Sequence, residues 1–132
     1  MAVLETLFAF LGLGYSASQN SENRRLKAAA LIANVEANTR SAALLADFEA
    51  TRLLRKAEGL YNDPRNVIGP LLEMRAQCDQ VLNLVVENRK LLKEKGANEQ
   101  VLIELENWSA NSGLMKSQVE LAADQIDSLL SG

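Results

Sequence analysis

At 132 residues the chain has the length of one ordinary domain. Its net charge of −3 is spread as seven basic and six acidic residues in 1–60, then seven and eleven in 61–132, so neither half has the positive excess of a nucleic-acid binder. Histidine is absent and cysteine occurs once, which removes the commonest general base, the commonest metal-binding imidazole and any thiolate cluster.

The opening segment, Met1 to Tyr15, is apolar except for Glu5 and Thr6. It predicts a first helix over about 2–13 carrying Val3, Leu4, Leu7, Phe8, Phe10 and Leu11, with almost no polar face. No Lys or Arg precedes Arg24, so a cationic signal-peptide leader is not expected. The apolar run also falls short of the roughly 20 residues a membrane-spanning helix needs. Contact with a membrane surface or a partner through residues 3–13 is the expectation.

A second helix is predicted from Ser16 or Ser18 to Leu60, about 65 Å long at about 1.5 Å per residue. One stripe reads Leu26, Ala30, Ala33, Ala37, Ser41, Leu44, Phe48; another reads Leu31, Val35, Asn38, Ala42, Ala46, Glu49, Leu53, Ala57, Leu60. Two largely apolar stripes imply neighbours on more than one side, and the alanines allow those neighbours to come close. The basic residues Arg24, Arg25 and Lys27, then Arg52, Arg55 and Lys56, read as solvated faces or partner contacts rather than a phosphate track.

Asn62-Asp63-Pro64 signals a turn with Asp63 as cap and Pro64 at a first helical position, and Gly69-Pro70 offers an alternative start. From there a three-four spacing picks out Leu71, Met74, Cys78, Val81, Val85, Asn88 and Leu92, a coiled-coil seam with one polar position, in a third helix over about 65–95. Cys78 reads as a small core residue. Gly96 and Asn98 close that helix and open the next. The following seam is Val101, Leu105, Trp108, Ser112, Met115, Val119, Ala122, Ile126 and Leu129, which predicts one continuous helix over about 98–130 with Gly113 tolerated inside it. Two helices of similar length and a short connection predict an antiparallel hairpin, which needs a further helix, from this chain or another, to cover it. The fold class expected is all-α, a long-helix bundle forming a single unit.

No Gly-rich phosphate loop, nucleophile elbow or calcium-loop spacing occurs. Carboxylate pairs at Glu120 with Asp124 and Asp124 with Asp127 lie off the apolar seam and read as solvated. The expectation is therefore no enzyme, no cofactor, no metal, no small-molecule substrate and no specific nucleic acid. The packing and oligomerisation residues expected are Leu71, Met74, Val81, Val85, Leu92, Val101, Leu105, Trp108, Met115, Val119, Ile126 and Leu129.

The first half resembles a known family. Leu11-Gly12-Leu13-Gly14-Tyr15-Ser16-Ala17, followed by the Ala/Asn-rich run from Leu26 to Asn38, is similar in texture to the small internal virion (ejection) proteins of short-tailed bacteriophages, over about residues 8–58. The resemblance implies a protein packaged in the capsid that leaves through the tail and assembles, with itself and with another virion or helical protein, into a channel across the host envelope. Two other readings stand beside it: a cytoplasmic helical adaptor or chaperone gripping a partner helix, and a peripheral membrane protein whose first 15 residues anchor a coiled-coil spacer.

Overall fold

The computed structural model describes residues 21–132. The helix expected at 2–13, with Val3, Leu4, Leu7, Phe8, Phe10 and Leu11, and the expected start of the long helix at Ser16 or Ser18 lie outside the described residues. Within them, strong helix formers run without a breaker from Ser21, and α1 (Ser21–Glu58) is one helix of 38 residues that continues through Asn38 to Ser41. It ends before the expected Leu60, in a turn where the Leu60 and Tyr61 N–H groups both donate to the Ala57 carbonyl, at 2.9 and 3.0 Å.

Both candidate starts after the turn are used. α2 (Pro64–Val67) is a single turn, and α3 (Gly69–Lys95) begins at the second Pro signal. Asp63 stands at the N-cap position of α2 but makes no side-chain cap bond; its carboxylate accepts from Asn66 Nδ2 at 2.9 Å. α3 stops at Gly96, whose φ of 72° is open to glycine at little steric cost, with its N–H donating to Leu92 O at 2.8 Å. Asn98 then caps α4 (Glu99–Ser112), accepting the Val101 N–H at 2.8 Å.

The expected continuous helix over 98–130 is instead two, α4 and α5 (Met115–Ser131). Gly113 keeps a right-handed helical backbone, but its N–H is shared between the Ser109 and Ala110 carbonyls and the Leu114 N–H reaches back only to Asn111. The turn tightens into three-residue bonding, as helices do where a glycine weakens them. The axis nevertheless carries on, so α3 and the α4–α5 rod form the expected C-terminal hairpin.

The cover that hairpin needs comes from this chain: α1 packs against α3, α4 and α5 together. Ion pairs from Arg24 to Glu99 and from Lys56 to Asp127 set α4–α5 parallel to α1, whereas Glu36 with Arg89 and Asp47 with Arg75 set α3 antiparallel to it. The division of labour follows side-chain size. α1 contributes Ala28, Ala42, Ala43, Ala46, Ala50 and Ala57 to the core, so it sinks close between its neighbours. The bulk comes from Trp108, Leu105, Met115, Leu71, Val81 and Val85 on the hairpin, together with Ile32, Val35 and Leu53. Ile32, which neither predicted stripe contained, is fully buried.

Of the twelve packing residues expected from the seams, ten are buried and Met74 is half-buried. Leu129 is the exception at 70% exposure, and Leu130 takes the core position in its place. A strict heptad drifts against the 3.6-residue helical repeat, and by the last turn of the rod that drift amounts to one position. Ala123 replaces Ala122 in the core for the same reason.

Candidate interaction surface

α1 has two apolar faces, and the described residues cover only one. The face formed by Ala28, Ile32, Val35, Thr39, Ala42, Ala46, Leu53 and Ala57 is buried. The opposite face carries the first predicted stripe, and there Leu26 is 62%, Leu44 71% and Phe48 64% exposed. Ala30, Ala33 and Ala37 between them are exposed as well, and Ser41 is half-buried. Large apolar side chains in line along one helix, directly opposite its core face, form a continuous patch rather than scattered singles, and such patches mark interaction sites.

The margins of this face are held by ion pairs inside the chain. On the α3 side, Glu36 accepts from Arg89 Nη2 at 2.8 Å and from Arg40 Nη2 at 3.2 Å, Asp47 accepts from Arg75 Nε at 3.0 Å, and Arg75 also pairs with Asp79. The Arg89 and Arg40 guanidinium groups hold the Glu36 carboxyl down to about 2. On the other side, Lys27 reaches Glu106 at 2.8 Å, and Asp127 takes both Lys56 at 2.6 Å and Arg52 at 3.5 Å, which keeps its carboxyl below the usual carboxylate range. The basic residues read from the sequence as solvated faces or partner contacts are thus, for Arg24, Lys27, Arg52 and Lys56, the ties between α1 and the α4–α5 rod.

A polar ladder sets the axial register of α1 against α4. Asn34 Nδ2 donates to Ser109 Oγ, and Asn38 Nδ2 donates to Ser112 Oγ at 3.0 Å. Next to Asn38, Thr39 donates to the Val35 carbonyl at 2.7 Å and lies 3.7 Å from the Met115 sulfur. Sequence reasoning missed this ladder. The signal was present in Asn34 and Asn38 four apart and Ser109 and Ser112 three apart, spacings that place each pair on one helix face.

A groove of about 420 Å³ opens at the far end of the bundle, lined by Tyr61, Val67, Pro70, Ala122, Ile126 and Leu129 with Asn66 and Gln125. It explains where the displaced Leu129 goes. No carboxylate, amine or thiol lines it, so it offers hydrophobic contact and no acid–base chemistry. Cys78 is buried, and that burial pushes its thiol up, away from the reactive thiolate. Among the described residues no three His, Cys, Asp or Glu side chains converge on a metal-sized site, and no helix is long and apolar enough to cross a membrane.

Leu71, Val81, Val85, Leu92, Val101, Leu105, Trp108, Met115, Val119 and Ile126 are buried within the described residues and Met74 is half-buried, whereas the back of α1 keeps Leu26, Leu44 and Phe48 exposed. In comparisons with known proteins, no family model, no curated protein and no solved structure matches this chain.

Proposed function

We propose that this chain is a non-enzymatic assembly protein, a helical module that joins larger structures through the back of α1. The observation that carries the reading is the exposure of Leu26, Leu44 and Phe48 on one line of a helix whose other side is already buried. Burying a leucine or phenylalanine that is otherwise wet is worth about 1.5–3 kcal/mol, so three in line form a substantial driving force for association.

The setting we propose is that of an internal virion protein of a short-tailed phage, which leaves the capsid through the tail and assembles at the host envelope. The resemblance that suggests it covers about residues 8–58, and the described part of that span is α1, the helix with the open face. The native mass of the full chain, measured with and without lipid vesicles, tests the proposal. Large assemblies, promoted by lipid or by a second virion protein and lost in Leu44→Ser/Phe48→Ser, are expected. A chain that stays monomeric at high concentration and ignores vesicles overturns it, and a plain dimer indifferent to lipid transfers the reading to a helical adaptor.

A further inference from the structure

The pattern of residues along the back of α1 identifies an occupant for it. We propose that this face pairs with the same face of a second copy, laid antiparallel across a two-fold axis that passes at Ala37. The inference rests on the reading of α1 as the docking surface.

The first ground is the symmetry of the spacing. From Leu26 to Phe48 the stripe advances by 4, 3, 4, 4, 3 and 4 residues, the same in both directions from Ala37. A two-fold axis there sets Leu26 opposite Phe48 of the other copy, Ala30 opposite Leu44, Ala33 opposite Ser41, and Ala37 opposite itself. An isologous contact needs this self-complementarity.

Side-chain size is the second ground. The bulky end of the stripe, Leu44 and Phe48, meets the slender end, Ala30 and Leu26, and the small residues at the centre let the two helices approach to about 8 Å. A parallel pair in register instead stacks Phe48 on Phe48 and Leu44 on Leu44, leaving Ala30 to Ala37 unfilled over about two turns. Charge does not oppose the antiparallel arrangement, because Arg40, Lys27 and Arg52 at the margins are each neutralised within their own chain.

Area sets the strength. The stripe spans about 33 Å, and a helix roughly 10 Å wide laid along it shields about 330 Å² in projection on each copy. Doubled, that is about 660 Å², below the roughly 1,000 Å² of a stable specific interface, so the pair is weak and concentration-dependent. Val86 on α3, 64% exposed, adds apolar surface close to the axis, since the Glu36–Arg89 and Asp47–Arg75 pairs bring it to the height of Ala37. The pair is closed, so growth beyond two copies requires another surface.

Disulfide trapping in the full chain tests this, in a Cys78→Ala background. Ala37→Cys is expected to cross-link to itself under mild oxidation, and Ala30→Cys to cross-link with Leu44→Cys when the two proteins are mixed. Leu44→Cys alone is expected to stay uncross-linked, since two copies of that position lie about 21 Å apart along the axis, beyond the roughly 7 Å reach of a disulfide. Efficient self-cross-linking of Leu44→Cys, or a chain that sediments as a monomer up to about 1 mM with none of these cross-links, overturns the proposal. If that monomer still binds vesicles or a second protein, and Leu44→Glu/Phe48→Glu abolishes the binding with helix content unchanged, only the pairing is wrong. If those substitutions change no association at all, the docking surface itself is wrong.

Discussion

Trp108 is the largest side chain in the core and has no exposed surface. Its Nε1 finds no acceptor among the described residues, so the site gains from hydrophobic bulk and loses part of that gain to an unpaired N–H. Trp108→Ala is therefore expected to cost about 3–5 kcal/mol in urea unfolding. Trp108→Phe should cost clearly less, because it keeps most of the ring volume and removes the unpaired donor; equal losses for the two variants would contradict this view of the site. Glu36 makes a different kind of contribution. Its carboxyl is held near 2, against an ordinary value of 4.5, chiefly by Arg89 and then by Arg40. A carboxylate with a depressed value stabilises the fold fully above about 4.5 and loses that contribution as pH falls toward 2. Glu36→Gln should cost about 0.5–1 kcal/mol at neutral pH, as a partly solvated pair does. Its difference from the parent should vanish by about pH 2, and a difference independent of pH would remove the α1–α3 pair from the account.

Individual helices were legible in the sequence to different degrees. The α3 and α4–α5 seams could be read directly, because bulky residues recur at three-four spacing with polar residues between them. α1 was harder, since alanine loses little surface on burial and fits a core or an exposed face with similar ease. The two stripes were visible, yet nothing in the sequence said that Ile32 and Ala28 were inside while Leu44 and Phe48 were outside. That choice is made by the hairpin, whose polar ladder and ion pairs engage Asn34, Asn38, Lys27 and Lys56 on one flank of α1. The break at Gly113 was missed because the apolar pattern crosses it unchanged. A Cβ there meets the Ala110 carbonyl oxygen at 3.2 Å and Asn38 Nδ2 at 3.9 Å, with the backbone already helical. Gly113→Ala is expected to join α4 and α5 and to add up to about 1 kcal/mol, read as a higher unfolding temperature; a fall in stability would mean that the tight turn is required for packing against Asn38.

At the scale of the whole molecule, the described residues build a bundle of three rods that hides most of the seams of its hairpin and leaves the apolar line of Leu26, Leu44 and Phe48 exposed on the back of α1. The sequence implied more apolar surface than one copy can cover, and among the described residues the back of α1 is one place where such surface stays exposed. Assembly through this line requires that it be wet in the free chain and dry in the associated one. The most direct measurement is the rate at which a thiol at position 48, introduced as Phe48→Cys, reacts with a water-soluble reagent across a range of protein concentrations, with the buried Cys78 as an unreactive internal reference. The account predicts fast modification in dilute protein and progressive protection as concentration rises. Protection at every dilution, or full reactivity in the most concentrated sample, would contradict it.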